Sequence, residues 1–433
     1  MGKISNISPT ILMVNFHSTH NIGDLALLIS NRQLLMEAFN NPKIIVSANW
    51  PDEPAYEKHG FEVVPSFWSL SKIRPGVSIT EQITRFIINY ILISSHRDRS
   101  MLFGDKQILS WRSVHDAYVR ADIVVGVSGT FFFSSGKYGW PFPATYASIK
   151  LANVYKKPLY ILPQSIGPLR RKWERTLLFN GYKHARKIYF RDNASIRLGY
   201  EIGLDPSKIT YSPDPAFDLK PASEEIALEV LNSNNVNNEK PKLGVTIISP
   251  IGLSIDSSEI KNYYNTVTKV LEKFLKTHNG QLVMFNQDSG PTLKENDIYY
   301  TRIIYEKLLA NSLDVVQIEE ALPPDVFKAC VGRMQAFLAS RLHSGVFALG
   351  MNIPTVFIGY LSKTRGMLQA LELENNVIDL RDLNEQDLWE KLSYTWEHAT
   401  QERRALEVKM PTIKVASHAP AQAIREDFLR YHG

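Results

Sequence analysis

Short, continuous apolar runs alternate with helix-length segments along most of this chain, and the alternation occurs twice. In the first half, Ile11–Phe16, Lys43–Ser47, Ile123–Val127, Leu159–Leu162 and Ile188–Phe190 read as strands, with a helix over Leu25–Phe39 between the first two. Strands that are apolar at consecutive positions are covered on both faces, which is the habit of parallel sheets flanked by helices. The segment Pro221–Pro241 breaks the series, passing from a short helix into an Asn-rich stretch with few apolar residues. A second series follows: Leu243–Ile248, Gln281–Phe285, Val315–Ile318, Gln335–Ala339, Thr355–Ile358 and Val377–Asp379. The pattern predicts an α/β chain of two doubly wound, Rossmann-like domains facing a cleft. The expected boundaries are residues 1–230, a linker at 231–240, and 241–433, the last including C-terminal helices.

Composition agrees and excludes several classes. A chain of 433 residues with 44% hydrophobic content can bury two cores. Its 49 Lys and Arg against 44 Asp and Glu leave a net charge of +5, dispersed along the chain. That excess is too mild for nucleic acid and suits small anions. The lone Cys330 excludes an internal disulfide framework and a thiolate zinc cluster. Ile11–Phe16 has the length of a strand and not of a signal peptide, and Asn6 stands where a myristoylation motif needs Ser or Thr, so the expected compartment is the cytoplasm. The apolar segment Ile79–Ile93, followed by His96, Arg97 and Arg99, is too short to span a bilayer. It reads as a helix packed on the first sheet, with peripheral contact to the cytoplasmic membrane face as the alternative.

The chemistry-bearing residues fall just after the predicted strands, the edge at which open α/β sheets bind ligands. After the first strand, HSTHNIGD holds Asn21, Gly23 and Asp24, with Asp24 expected to cap the following helix. After the third, Ser128, Gly129 and Thr130 form a hydroxyl-rich turn suited to a sugar or phosphate. Arg191 follows the fifth strand directly, and Asp192 or Asn193 caps the next helix. Asp214 is either a base for an acceptor hydroxyl or a turn residue, and Gln287 and Asp288 are candidates for hydrogen bonds to a sugar. In the second half Arg341 and His343 sit at a strand end, and Lys363 and Arg365 lie beyond the next strand. One edge thus gathers cations and an imidazole, which suits an anionic ligand. No set of His, Cys or carboxylates has metal-ligand spacing, so neither a metal nor another cofactor is expected.

Five segments, in order, resemble the polysaccharide pyruvyl transferases: NIGD at 21–24, PQSIGP at 163–168, RDNAS at 191–195, SPDPAFDL at 212–219 and SRLHSGVFALGMNIPTVFIGY at 340–360. The resemblance implies a fold like that of the type B glycosyltransferases. It also implies transfer of pyruvate from phosphoenolpyruvate to two hydroxyls of a saccharide, free or lipid-linked, as a ketal. In that family the residues matching Arg191, Arg341, Leu342 and His343 are associated with the donor. The chain departs from the family in the bulky residues 15–20 before NIGD, in the few glycines around Ser128, and in lacking an acidic residue before Lys363.

Phosphoenolpyruvate carries two anions, which guanidinium forks neutralise bidentately. Ketal formation needs a proton at the methylene carbon, and histidine is the residue type suited to deliver it near neutral pH. His343 is therefore the expected general acid, with Lys363 beside the leaving phosphate. The alternatives are a nucleotide-sugar glycosyltransferase of the same architecture and a non-catalytic saccharide-binding relative.

Overall fold

The computed structural model describes residues 8–70, 84, 87, 105–134, 142–250, 256–292, 295–360 and 362–432. The apolar segment Ile79–Ile93 lies outside them, apart from Thr84 and Ile87. By contacts the chain divides into two compact units, one of residues 1–19, 27–214 and 418–433, the other of residues 20–26 and 215–417.

The first unit is built on a parallel sheet of β1 (Thr10–Phe16), β2 (Lys43–Ala48), β3 (Glu62–Pro65), β4 (Ile123–Gly126), β5 (Gly129–Phe132), β6 (Leu159–Ile166), β7 (Lys187–Phe190) and β8 (Ile209–Tyr211). Its order is β3-β2-β1-β4-β6-β7-β8, with β5 paired to β6. Period-two alternation fills both faces: Leu12 and Val14 enter one core while Ile11 and Met13 enter the other. Ala421, Ile424 and Phe428 of the last helix, Ala419–His432, complete the second of these cores.

Two details differ from the sequence expectation. The PQSI residues continue β6 as far as Ile166, and the turn begins only at Gly167. Pro163 is tolerated because the β6–β7 register shifts between Ile161 and Gln164, sparing the missing N–H from a ladder bond. The hydroxyl-rich segment after β4 opens a strand, Gly129–Phe132, with Gly129 at φ 145° where a side chain would be strained.

The second unit carries β9 (Lys242–Thr246), β10 (Gln281–Phe285), β11 (Val315–Ile318), β12 (Ala336–Ala339), β13 (Thr355–Gly359) and β14 (Val377–Asp379) in the order β11-β10-β9-β12-β13-β14. The order reverses between β9 and β12, the position at which such sheets open for ligands. Register puts Phe285 and Ala339 both opposite Thr246, so the segments after β9, β10 and β12 emerge together. A Cβ on Gly345 would lie 2.0 Å from the Phe357 ring, so this glycine lets the helix Leu342–Gly350 approach the sheet closely.

The expected linker at 231–240 is instead part of the second unit. Glu224–Ser233 is a helix capped by Ser223, and Leu231 and Val236 are buried. The Lys242 ammonium is held by the carbonyls of Asn237, Asn238 and Lys240 at 2.8–3.2 Å. Polar composition here reflects hydrogen bonding to main chain and not a free tether. The expected boundaries shift accordingly: the chain leaves the first unit after Asp214 and returns to it at His418.

Candidate active site

The carboxyl edge of the second sheet is organised by Arg341. It occupies the N-cap position of the helix Leu342–Gly350 in extended conformation, and its own side chain does not cap. Gln287, after β10, supplies the cap: its Oε1 accepts from the Ser344 N–H at 2.7 Å. The Ser344 hydroxyl meets Thr246 Oγ1 at 2.7 Å and donates to the Arg341 carbonyl at 2.8 Å. Gln287 thereby holds the turn through its amide oxygen.

The Arg341 fork donates to Asp297 through Nε at 2.8 Å and Nη2 at 2.6 Å, and Nη2 lies 3.3 Å from Asp288 Oδ2. Asp297 Oδ1 also accepts from the Ser249 N–H at 2.7 Å. Sequence reasoning missed Asp297. It precedes the helix Ile298–Ala310 in the N-cap position and so resembles an ordinary cap, yet makes no capping bond. Its carboxylate is spent on Arg341 instead, a partner 44 residues away.

The NIGD segment joins this cluster. Asn21 Nδ2 donates to Asp288 Oδ2 at 2.9 Å, while Asn21 Oδ1 accepts from Gly23 N–H at 2.9 Å and Asp24 N–H at 3.2 Å. Asn21, and not Asp24, is therefore the cap of the helix Ile22–Ala38; Asp24 sits in its first turn, where a carboxylate favours the helix dipole. The Ile22 N–H donates to the Gln287 carbonyl at 3.0 Å. Gly23 faces His343 so closely that a Cβ there would lie 2.3 Å from Nδ1. The imidazole is buried, as is Leu342 beside it. Lys363 stands in the first turn of the helix Ser362–Ala370 that follows β13.

Charge counting governs this cluster, because one guanidinium faces two buried carboxylates. Burial pushes the Asp288 carboxyl up, Arg341 pulls it down, and Asp297 and Asp24 push it up again, leaving it at about 8. Burial also raises Asp297 against the pull of Arg341. For Arg341, burial disfavours the charge but the two carboxylates outweigh it, so the guanidinium is held more firmly protonated than usual.

In the first unit Arg191 anchors a separate network at the carboxyl edge of β7. It is 1% exposed and donates from Nε to Ser165 Oγ and from Nη2 to Thr130 Oγ1, both at 2.9 Å, and from Nη1 to Asp214, which is wholly buried. Asp214 is thus a buried counter-charge of Arg191. Asp192 caps the helix Asn193–Glu201 as expected, accepting from the Ser195 N–H at 2.7 Å. Ser128 is buried and donates to Asn31 at 2.9 Å, and Gln164 donates to the Val127 carbonyl at 2.6 Å. Among the described residues no three His, Cys, Asp or Glu side chains are grouped to hold a metal ion, and no helix is long and apolar enough to cross a membrane.

Comparison with known proteins bears on the fold and the family. The chain is 20% identical over 385 residues to the amylovoran biosynthesis protein AmsJ of Erwinia amylovora, covering 86% of this chain and 88% of that protein. Its fold is similar to that of the UDP-GlcNAc 2-epimerase of Neisseria meningitidis, with a TM-score of 0.57, 14% identity, and 96% and 100% of the two chains covered. A glycosyltransferase of Rickettsia africae is alike at a TM-score of 0.57, 11% identity, and 98% and 99% coverage. These likenesses show an α/β fold of the type B glycosyltransferase kind. Residues 21–362 match the polysaccharide pyruvyl transferase family, a span that holds Asn21, Arg191, Arg341 and His343, and the chain belongs to that family.

Proposed function

We propose that this protein transfers pyruvate from phosphoenolpyruvate onto two hydroxyls of a saccharide, forming a ketal and releasing phosphate. The observation that carries the reading is the pairing of Arg341 and His343 at one helix start, beside the point where the strand order of the second sheet reverses. A cation and a proton-transfer group side by side are what a short enol with two anions requires. In this reading Arg341 receives an anionic group of the donor and His343 delivers a proton to the methylene carbon. A sugar hydroxyl then attacks C2 and gives up its proton, which restores the acid form of His343; a second hydroxyl closes the ketal as the C2–O bond to phosphate breaks, its proton leaving with the phosphate, which Lys363 stabilises. Arg191, enclosed with Asp214, serves as a strut of the first sheet's edge. The acceptor belongs to polysaccharide biosynthesis, free or lipid-linked, and the reading implies a cytoplasmic protein, where phosphoenolpyruvate is made. The nucleotide-sugar alternative draws only on likeness of fold, which does not carry function.

The test is His343→Gln, which keeps size and a hydrogen-bond donor. A general acid acts in the transition state, so phosphoenolpyruvate affinity stays near wild type while turnover falls by about 10²–10⁴ and the pH limb assigned to the imidazole disappears. Retention of that limb, or a loss of affinity with unchanged turnover, removes the acid role.

A further inference from the structure

The Arg341 fork is already occupied. Asp297 takes it bidentately, Asp288 stands 3.3 Å from the same Nη2, and both carboxylates are buried. With both ionised, the trio carries a net negative charge at the place where an anion has to arrive. We propose that anion binding at Arg341 is coupled to a proton carried by Asp288, which makes Asp288 a positioning residue that must be neutral for the donor to bind. The inference rests on the reading that Arg341 receives an anion.

The geometry assigns the proton to Asp288 and not to Asp297. Asp297 receives two guanidinium bonds and the Ser249 N–H, which together fix it as the permanent counter-ion of Arg341. Asp288 has the single amide bond from Asn21 at 2.9 Å, a long contact from the Gly290 N–H at 3.4 Å, and only the edge of the guanidinium. Asn21 can donate to it in either charge state, so the NIGD segment stays in place through the change. The surrounding titratable groups are Arg341 before its helix, Asp297 before Ile298–Ala310, Asp24 in the first turn of Ile22–Ala38, His20 next to Ser289, and Tyr360 after β13. Of the carboxylates among these, Asp297 and Asp24 both favour a proton on Asp288.

A second feature of the same edge indicates that something is received there. Asn286, two residues before Asp288 and directly after β10, is 2% exposed, and among the described residues neither its amide nitrogen nor its amide oxygen has a partner. A buried amide lacking both bonds is costly unless a ligand or water completes it.

Two measurements test the proposal. Calorimetric titration above pH about 8, in buffers of different ionisation heat, uses phosphoenolpyruvate and inorganic phosphate as separate probes, both already free of their readily titrating protons. The expected result is uptake of about one proton per anion, with affinity falling about tenfold per pH unit above the Asp288 pKa. Asp288→Asn, which fixes the neutral state, binds without uptake and without that slope. The second measurement needs no ligand. A carboxyl whose pKa is raised by folding contributes stability that is lost as pH rises from its unfolded value to the folded one, here about 8, so the wild type loses thermal stability relative to Asp288→Asn between about pH 5 and 8, and the difference levels off by about pH 9.5. Parallel stability curves, anion binding by the wild type without proton uptake, or no binding of either anion across that range each overturn the coupling. Phosphate bound with proton uptake while phosphoenolpyruvate is ignored supports the coupling and rejects the donor reading. Phosphoenolpyruvate bound without uptake does the reverse. Should Asp288→Asn fail to fold, proton uptake by the wild type decides alone.

Discussion

Replacing Arg191 with Ala isolates the part played by the buried ion pair of the first unit. The guanidinium is 1% exposed and Asp214 is 0% exposed, so the variant takes the Arg191 charge away from a buried carboxylate and strips the hydroxyls of Ser165 and Thr130 of their donor. Breaking a buried pair on one side costs about 3–5 kcal/mol, far above the 0–1 kcal/mol typical of exposed pairs. For a unit of roughly 200 residues, each kcal/mol moves the midpoint by about 2–4 °C, so calorimetric melting is expected to fall by about 6–20 °C. The compensated double variant, Arg191→Met with Asp214→Leu, removes both charges and recovers most of that loss. It also supplies a folded protein in which donor binding can be measured without the guanidinium. Unimpaired phosphoenolpyruvate binding there leaves Arg191 as a strut, whereas loss of binding restores the donor role implied by the family resemblance. A melting temperature for Arg191→Ala within about 2 °C of wild type would refute the reasoning, because removing one side of a buried ion pair is not that cheap.

Two further predictions follow from packing. Gly23→Ala places a methyl 2.3 Å from His343 Nδ1, so the ring must move. Overpacking of about 1–3 kcal/mol partly offset by about 1 kcal/mol of helix propensity gives a modest loss of stability. Turnover is expected to fall towards that of His343→Gln, and unchanged turnover would show that the ring's position is immaterial. Phe428→Ala, in the last helix, removes a ring packed edge-on against Phe39 at 5.9 Å and is expected to destabilise by about 3–5 kcal/mol, while Val408→Ala, at an 80% exposed position, changes stability by less than about 0.5 kcal/mol. Equal effects of the two substitutions on denaturant midpoints would contradict the return of the chain to the first core.

Much of the fold is legible in the sequence because strands buried on both faces leave unbroken apolar runs: the run Gln281–Phe285 coincides with its strand, while Leu243–Ile248 extends past β9, which ends at Thr246, because Ile247 and Ile248 are buried without being in the sheet. Short strands such as Glu62–Pro65 and Ile209–Tyr211 lack that signal, and Pro163 disguised the continuation of β6. The Asn-rich stretch before Pro241 was misread because composition does not reveal that its carbonyls hold Lys242. Within the candidate site, Arg341, His343 and the NIGD segment were visible as residues at strand ends. Their connections were not: Asn21 reaches Asp288 across 267 positions and Arg341 reaches Asp297 across 44, and no local pattern encodes either bond. Asn21 and Asp24 are both good capping residues, so only the backbone donors of Gly23 and Asp24 decide between them.

The central claim concerns the fate of the enolpyruvyl carbon. Incubating the protein with phosphoenolpyruvate labelled with carbon-13 at C2 and with saccharide acceptors, and following the label by NMR alongside phosphate release, reads it directly. The account predicts phosphate release that depends on the acceptor, and a label that passes from the enol into a ketal bonded to two sugar oxygens, both lost in His343→Gln. Label that remains in phosphoenolpyruvate while a nucleotide sugar is consumed with the same acceptors would contradict it.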